Sequence, residues 1–123
     1  MTKRGPRTAV TETVNAQAEA LLALGGFRAR DGTVLIAEVG PDVVGVAVLR
    51  VADGEAEVLA LLTAPNHRHR GVARALVHEM SKRAKAAGCQ RLRVRVDKAR
   101  DDVPAFFRAL GFDESQLALD LRL

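Results

Sequence analysis

The sequence PNHRHRGVARAL occupies positions 65–76 and joins a segment with strand character to a segment with helical periodicity. The first turn of a helix has backbone amides without intrahelical acceptors, and the helix dipole places partial positive charge there. Phosphate is a common ligand at such an end. Gly71 lets the backbone approach an anion closely, and Arg68, Arg70 and Arg74 add positive charge. The stretch therefore predicts an anion-binding loop; the alternative is an arginine-rich loop that merely ends in glycine.

Hydrophobic periodicity and turn residues predict the elements on both sides of this loop. They are a helix from about Thr11 to Leu24, strands at Thr33–Val39, Val43–Val51 and Glu55–Thr63, a helix at about Val72–Ala87, a strand at Arg91–Asp97, a helix at about Val103–Leu110, and a last strand in which Leu117, Leu119, Leu121 and Leu123 alternate. The first three strands are apolar on both faces, which predicts burial on both sides. This order predicts an α/β (α+β) fold, with a mixed, mostly antiparallel central sheet flanked by helices. We expect one domain over residues 1–123, in which residues 1–10 form a basic, mobile tail.

The composition is that of a soluble globular protein, with 48% hydrophobic and 28% charged residues. No apolar run approaches the roughly 18 residues that span a bilayer, and the single cysteine excludes an internal disulfide, so we expect a cytoplasmic protein. The net charge of +4 suits an anionic partner, either nucleic acid or a polyphosphate cofactor. The chain has four Phe and neither Tyr nor Trp. That disfavours single-stranded nucleic acid, which stacks on aromatic side chains.

Two motifs resemble the GNAT superfamily of acetyltransferases. The loop from Pro65 to Ala73 is similar to its signature P-x-x-R/Q-x-x-G-x-G/A, and the sequence FFRALGF at 106–112 is similar to its late helix, which ends in Leu-Gly-Phe. The order of strands and helices agrees from Thr33 to the end. The resemblance implies a GNAT-like fold with a shortened N-terminal part. It also implies an acetyl-CoA-dependent N-acetyltransferase that acts on a primary amine of a small molecule or a protein.

The resemblance also implies which residues contact acyl-CoA. The amides from His69 to Arg74 would hold the pyrophosphate. The backbone of Leu61, Leu62 and Thr63, on a strand splayed from its neighbour at Arg91–Asp97, would pair with the pantetheine arm. Phe107 stands where many members have a proton-donating Tyr, so a tyrosine general acid is excluded here. The implied cofactor-binding set is Leu61, Leu62, Thr63, Arg68, His69, Arg70, Gly71, Val72, Ala73, Arg74 and Phe107.

Acetyl transfer to an amine needs a group that removes the proton of the amine. Glu57 is the first candidate, because it lies eleven residues before Arg68, where some members place a catalytic Glu. The alternative is an ordinary strand carboxylate. His67 is the second candidate, since histidine titrates near neutral pH, and its alternative is a loop histidine beside the phosphates. No metal site is predicted.

The other reactive side chains have simpler interpretations. His69 would face the phosphates, and His78 would lie at the surface or in packing. Cys89 follows the C-terminus of a helix, where the dipole disfavours the thiolate that a nucleophile needs. The stripe formed by Arg91, Arg93 and Arg95 is either a solvated sheet face or an attraction for the phosphates or for an acidic substrate.

Only 32 residues precede Thr33, which predicts one helix and a tail at the front of the fold. The resemblance implies that this front part covers the acceptor site, and a shorter front part would leave the acceptor groove open. Such a groove could be completed by a second copy of the chain, or it could suit a large substrate. Two alternatives stay open beside the transferase. One is an acyl-CoA-binding or sensor domain with little or no turnover. The other is a basic nucleic-acid-binding domain, which the low aromatic content makes the less favoured of the two.

Overall fold

The computed structural model describes residues 8–12, 15–24, 26, 28, 32–64, 71–95, 102–115 and 118–123. Its elements in chain order are β1 (Thr8–Thr11), α1 (Ala16–Leu24), β2 (Thr33–Val39), β3 (Asp42–Ala52), β4 (Glu55–Thr63), α2 (Val72–Ala86), β5 (Arg91–Arg95), α3 (Asp102–Ala109), β6 (Asp113–Ser115) and β7 (Ala118–Arg122). The strands form one seven-stranded sheet in the order β1-β2-β3-β4-β5-β7-β6. Only the β4–β5 pair is parallel, which confirms the mixed, mostly antiparallel sheet. Across these ranges, no helix combines the length and apolarity needed to cross a membrane.

Short turns set the antiparallel pairing in the first half of the sheet. β3 and β4 are joined by Asp53 and Gly54, which have φ angles of 54° and 77°. Two successive residues with positive φ match the twist of a two-residue hairpin, and Asp-Gly is a preferred pair for it. β2 and β3 are joined by Gly40 and Pro41, where only Gly40 has a positive φ, of 59°, because the proline ring fixes φ near −65°. These local signals are the ones from which the hairpins were predicted.

The sheet separates two hydrophobic clusters, one on each face. α2 and α3 cover one face, where Leu76 and Met80 of α2 pack on the central strands and Phe107 of α3 joins the same cluster near β6 and β7. α1 covers part of the other face, where Ala18 and Leu22 pack on β2 and β3. Residues 34–37 of β2 and 43–49 of β3 are all buried, which confirms the prediction that these strands are covered on both sides.

The front of the chain differs from the prediction in one respect. Residues 8–10 were assigned to the mobile tail, and the helix was expected to begin near Thr11. Instead Thr8–Thr11 forms β1 and pairs with Ile36–Val39 of β2. Helix α1 begins at Ala16, since the side-chain oxygen of Asn15 accepts the Ala18 N–H at 2.9 Å and caps the helix. A Thr- and Val-containing edge strand therefore stands where a tail was predicted; residues 1–7 lie outside the described ranges.

Candidate cofactor and acceptor site

The N-terminus of α2 carries the amides predicted to bind an anion. Gly71 is its N-cap with φ 78°, and no side chain caps it by a hydrogen bond. The first intrahelical bond runs from the Ala75 N–H to the Gly71 carbonyl at 3.0 Å. The N–H groups of residues 72–74 precede it and have no acceptor within the helix. A Cβ on Gly71 would have no atom within 4 Å, so within the described structure this N-cap is not packed against another element.

The side chains of this first turn divide between the core and the surface. Val72 is only 2% exposed and packs towards the sheet, so it can offer a ligand no more than its amide. Ala73 is half-buried and Arg74 is exposed. His67, Arg68, His69 and Arg70, with the rest of 65–70, lie outside the described residues, and their proposed contacts stay predictions.

Among the described residues, β4 and β5 pair over a short distance. Their parallel register runs from Ala56 opposite Leu92 to Val58 opposite Val94, although β4 continues to Thr63. On its other side β4 has a bulge, because Val48 lies opposite Ala60 while the next residue of β3 lies opposite Val58. Leu59 is the extra residue, and extra residues of this kind bend a strand. The bend coincides with the end of the pairing to β5.

The bulge also reverses which face each β4 side chain contacts. Before it, Ala56 and Val58 belong to the cluster under α2 and α3. After it, Ala60 belongs to the α1 cluster, with Leu62 packed against it. A one-residue slip has this effect because side chains alternate between faces along a strand. Position 59 is a leucine and not a glycine or proline, so no local feature of the sequence predicted the bulge.

Beyond Leu59, the backbone N–H and C=O groups of every second β4 residue point away from β3, towards the side on which β5 lies. The Ala64 N–H donates to the Val44 carbonyl of β3 at 2.8 Å. Since the groups of successive residues point to opposite neighbours, those of Leu62 also point to β3, whereas those of Leu61 and Thr63 point away from it. The alternation therefore narrows the predicted strand-pairing set from three residues to Leu61 and Thr63.

Glu57 lies on β4 just before the bulge. Ala56 and Val58 point to the α2 face, so Glu57 projects on the opposite face, where its side chain is 15% exposed and forms an ion pair with Arg50. It also lies opposite Arg93 of β5 in the register. All three side chains line one surface cavity with Glu55 and the β3–β4 turn. Arg50 was not predicted, because a partner on the neighbouring strand depends on the register.

Two arginines of the predicted stripe on β5, Arg91 and Arg93, share the carboxylate of Asp120 on β7. Arg93 donates from Nε to Oδ1 of Asp120 at 2.9 Å and from Nη2 to Oδ2 at 3.2 Å. Arg91 Nη1 lies 3.8 Å from the same carboxylate. The hydrogen bonds and the charge of Asp120 raise the pKa of Arg93 above its usual range, so this residue stays protonated at every pH at which the protein is studied. The pairing favours the interpretation of a solvated sheet face over that of an anion-attracting one.

Phe107 is part of the core. It is 3% exposed and makes edge-to-face contacts with Phe106 and Phe112, at ring-centre distances of 5.1 and 5.0 Å. Its contact with the cofactor stays a prediction. His78 is exposed on α2, as expected, and Cys89 is 5% exposed. Within the described ranges, no group of three His, Cys, Asp or Glu side chains could hold a metal ion.

Comparison with known proteins points to one family. Residues 5–112 match the family model described as the acetyltransferase (GNAT) family. An IAA acetyltransferase from Bacillus cereus has a similar structure, with a TM-score of 0.83, 18% identity and coverage of 95% of this chain and 100% of that one. A GNAT family acetyltransferase from Elizabethkingia anophelis, solved with acetyl-CoA bound, has a TM-score of 0.82 at 13% identity, covering 94% and 98%. The ribosomal-protein-S18-alanine N-acetyltransferase of Escherichia coli has a TM-score of 0.80 at 14% identity, covering 94% of both chains.

Proposed function

Because this chain belongs to the GNAT acetyltransferase family, we propose that it transfers an acetyl group from acetyl-CoA to a primary amine. One observation carries the proposal. The N-terminus of α2 at Gly71 comes after β4 in the chain, and the described part of β5 pairs with β4 only from Ala56 to Val58. An anion site and an open strand edge in this order suit a ligand that has a pyrophosphate at one end and an amide-containing arm at the other.

The cofactor would contact the chain in two places. The amides from His69 to Arg74 hold the pyrophosphate, because helix N-termini favour anions and the arginines add charge. The backbone groups of Leu61 and Thr63 pair with the amides of the pantetheine arm as a neighbouring strand would. This arrangement brings the thioester towards the bulge at Leu59.

Acetyl transfer then requires that one proton be removed from the attacking amine and that the thiolate of coenzyme A depart. Glu57 accepts the proton of the attacking amine, directly or through water, and His67 is the second candidate for this role. To accept a proton, the Glu57 carboxylate would have to keep its ion pair with Arg50 through one oxygen only, or the ion pair would have to break. The thiol of coenzyme A resembles that of cysteine, with a pKa of about 8.5, so it leaves tolerably without an acid. Its departure therefore does not require the tyrosine that the chain lacks.

Titration with acetyl-CoA in a calorimeter tests the first half of the proposal, and thiol release in the presence of a panel of amines tests the second. We expect saturable binding and amine-dependent release of coenzyme A. No heat and no thermal shift at millimolar acetyl-CoA would overturn the acyl-CoA function altogether. Binding without thiol release for any amine would favour an acyl-CoA-binding domain, the alternative that Phe107 and the Arg50–Glu57 pair support.

A nucleic-acid function receives less support from the structure. Arg91 and Arg93 belong to the predicted arginine stripe, and both face the carboxylate of Asp120. Strongly salt-dependent DNA binding together with no acetyl-CoA binding would reverse this preference. The cytoplasmic location, the single domain and the homodimer stay predictions.

Glu57→Gln is expected to lower turnover at neutral pH by at least about tenfold, because a general base contributes roughly 10²–10⁴-fold. The affinity for acetyl-CoA should change by less than about twofold, since Glu57 lies outside the cofactor-contacting set. Steady-state thiol release and calorimetry measure the two quantities.

Two variants serve as controls for this substitution. Glu55→Gln removes an exposed carboxylate from the same face of the same strand and should leave turnover unchanged. Arg50→Gln breaks the ion pair but keeps the Glu57 carboxylate, so it separates loss of the pair from loss of the base. Unchanged turnover in Glu57→Gln would remove Glu57 from the catalytic role.

A further inference from the structure

Gly45 of β3 lies directly under the first turn of α2. A Cβ at this position would lie 2.6 Å from Cγ1 of Val72, 3.1 Å from Cδ1 of Leu76 and 3.2 Å from the carbonyl oxygen of Leu62. Carbon atoms in contact prefer separations of about 3.5–4.0 Å. Any side chain at Gly45 would therefore push against the helix that carries the proposed phosphate site.

The need for glycine here comes from space and not from backbone conformation. Gly45 is absent from the residues with positive φ, in contrast to Gly71. Val72 has little freedom to yield, because it is 2% exposed and a β-branched residue in a helix has one strongly preferred rotamer. The helix must therefore shift if Gly45 acquires a side chain.

Gly45 also adjoins the second part of the proposed site. It lies opposite Thr63 in the β3–β4 register, and Val44 beside it accepts the Ala64 N–H. One residue thus touches the start of α2 and pairs with the strand whose outer edge would hold the pantetheine arm.

We propose that Gly45 is a positioning residue, which keeps the α2 N-terminus and the β4 edge at the separation that one acyl-CoA molecule can bridge. This inference rests on the proposed function. The pyrophosphate and the pantetheine arm belong to one molecule. Their two contacts therefore add to the affinity of that molecule only if the protein geometry allows both to form at once. A shift of the helix on the sheet would weaken the joint binding even where each part stayed folded.

Coenzyme A titrated into Gly45→Ala by calorimetry tests this inference. We expect affinity at least about tenfold weaker than that of the unaltered protein, because small misplacements at a binding site are costly. Val72→Ala removes the atom that lies 2.6 Å from the added methyl group. The double variant Gly45→Ala/Val72→Ala should therefore bind coenzyme A within about twofold of Val72→Ala alone, which distinguishes positioning from general destabilisation.

Gly32→Ala is the matched control. A Cβ there would lie 2.7 Å from the carbonyl oxygen of Leu49, away from α2. It should lower the melting temperature and leave the affinity for coenzyme A unchanged. Equal affinity in Gly45→Ala and the unaltered protein would overturn the inference alone, whereas no binding by the unaltered protein would overturn the proposed function. If Gly45→Ala does not fold, the double variant decides: normal affinity supports the inference, and weak affinity or failure to fold overturns it.

Discussion

Gly71→Glu is expected to abolish detectable binding of coenzyme A. Gly71 has φ 78°, a region that costs a residue with a side chain about 1–2 kcal/mol. The larger effect is electrostatic, since a carboxylate would stand at the amides proposed to hold the pyrophosphate, and like charges brought together cost several kcal/mol. Each 1.4 kcal/mol is a factor of ten, so we expect a loss of at least about a hundredfold in calorimetric affinity.

Two further glycine variants separate the causes of this loss. Gly71→Ala introduces the backbone strain without the charge, and its Cβ would meet no atom within 4 Å, so it should keep most of the affinity. Gly88→Glu introduces the same charge at a glycine with φ 85° and equally open surroundings, beyond the other end of α2. It should bind coenzyme A normally. Normal binding by Gly71→Glu itself would contradict the proposed phosphate site.

Phe107→Ala is expected to lower the free energy of unfolding by about 3–5 kcal/mol, the usual cost of removing a buried phenylalanine ring. Phe107 is 3% exposed and lies between Phe106 and Phe112. Edge-to-face pairs add about 0.5–1.5 kcal/mol beyond the area that they bury. The variant loses both ring contacts and the packing of this side chain between α3 and the sheet. Urea denaturation followed by circular dichroism measures the change.

Phe106→Ala is the comparison for this variant, because Phe106 is half-buried and contacts the same ring from one side only. It should cost clearly less, and an equal cost would contradict the central place of Phe107 in the aromatic cluster. Phe107→Leu keeps apolar bulk and separates packing from ligand contact. Weaker binding of coenzyme A by this folded variant would keep Phe107 in the cofactor-binding set, and unchanged binding would remove it.

Local patterns in the sequence were enough for most of the central fold. The bounds of β2 and β4 agree with the predicted Thr33–Val39 and Glu55–Thr63, and α2 begins at the predicted Val72. The reason is that apolar runs, helical spacing and turn pairs such as Asp53-Gly54 act within a few residues of the chain. The alternation on β5 and β7 also predicted which side chains enter the core.

The two shortest strands could not be predicted from local sequence, because they form only by pairing with a neighbouring strand. β1 has four residues and β6 has three, too few for periodicity to distinguish them from a tail or a turn. β1 forms because the edge of β2 offers it a partner, and β6 because β7 does. The same dependence explains why Arg50 and Asp120 were missed as partners of Glu57 and Arg93.

The stretch at 65–76 determined by itself that a helix begins at Val72, and it predicted an anion site at that end, because the glycine, the arginines and the helical periodicity are all local. Tertiary structure alone decided the rest of the site. Leu59 becomes a bulge only through its register with β3, and that register leaves the backbone groups of Leu61 and Thr63 directed away from β3. Gly45 matters only because α2 packs on it. Such features depend on residues distant in the chain, which no local pattern contains.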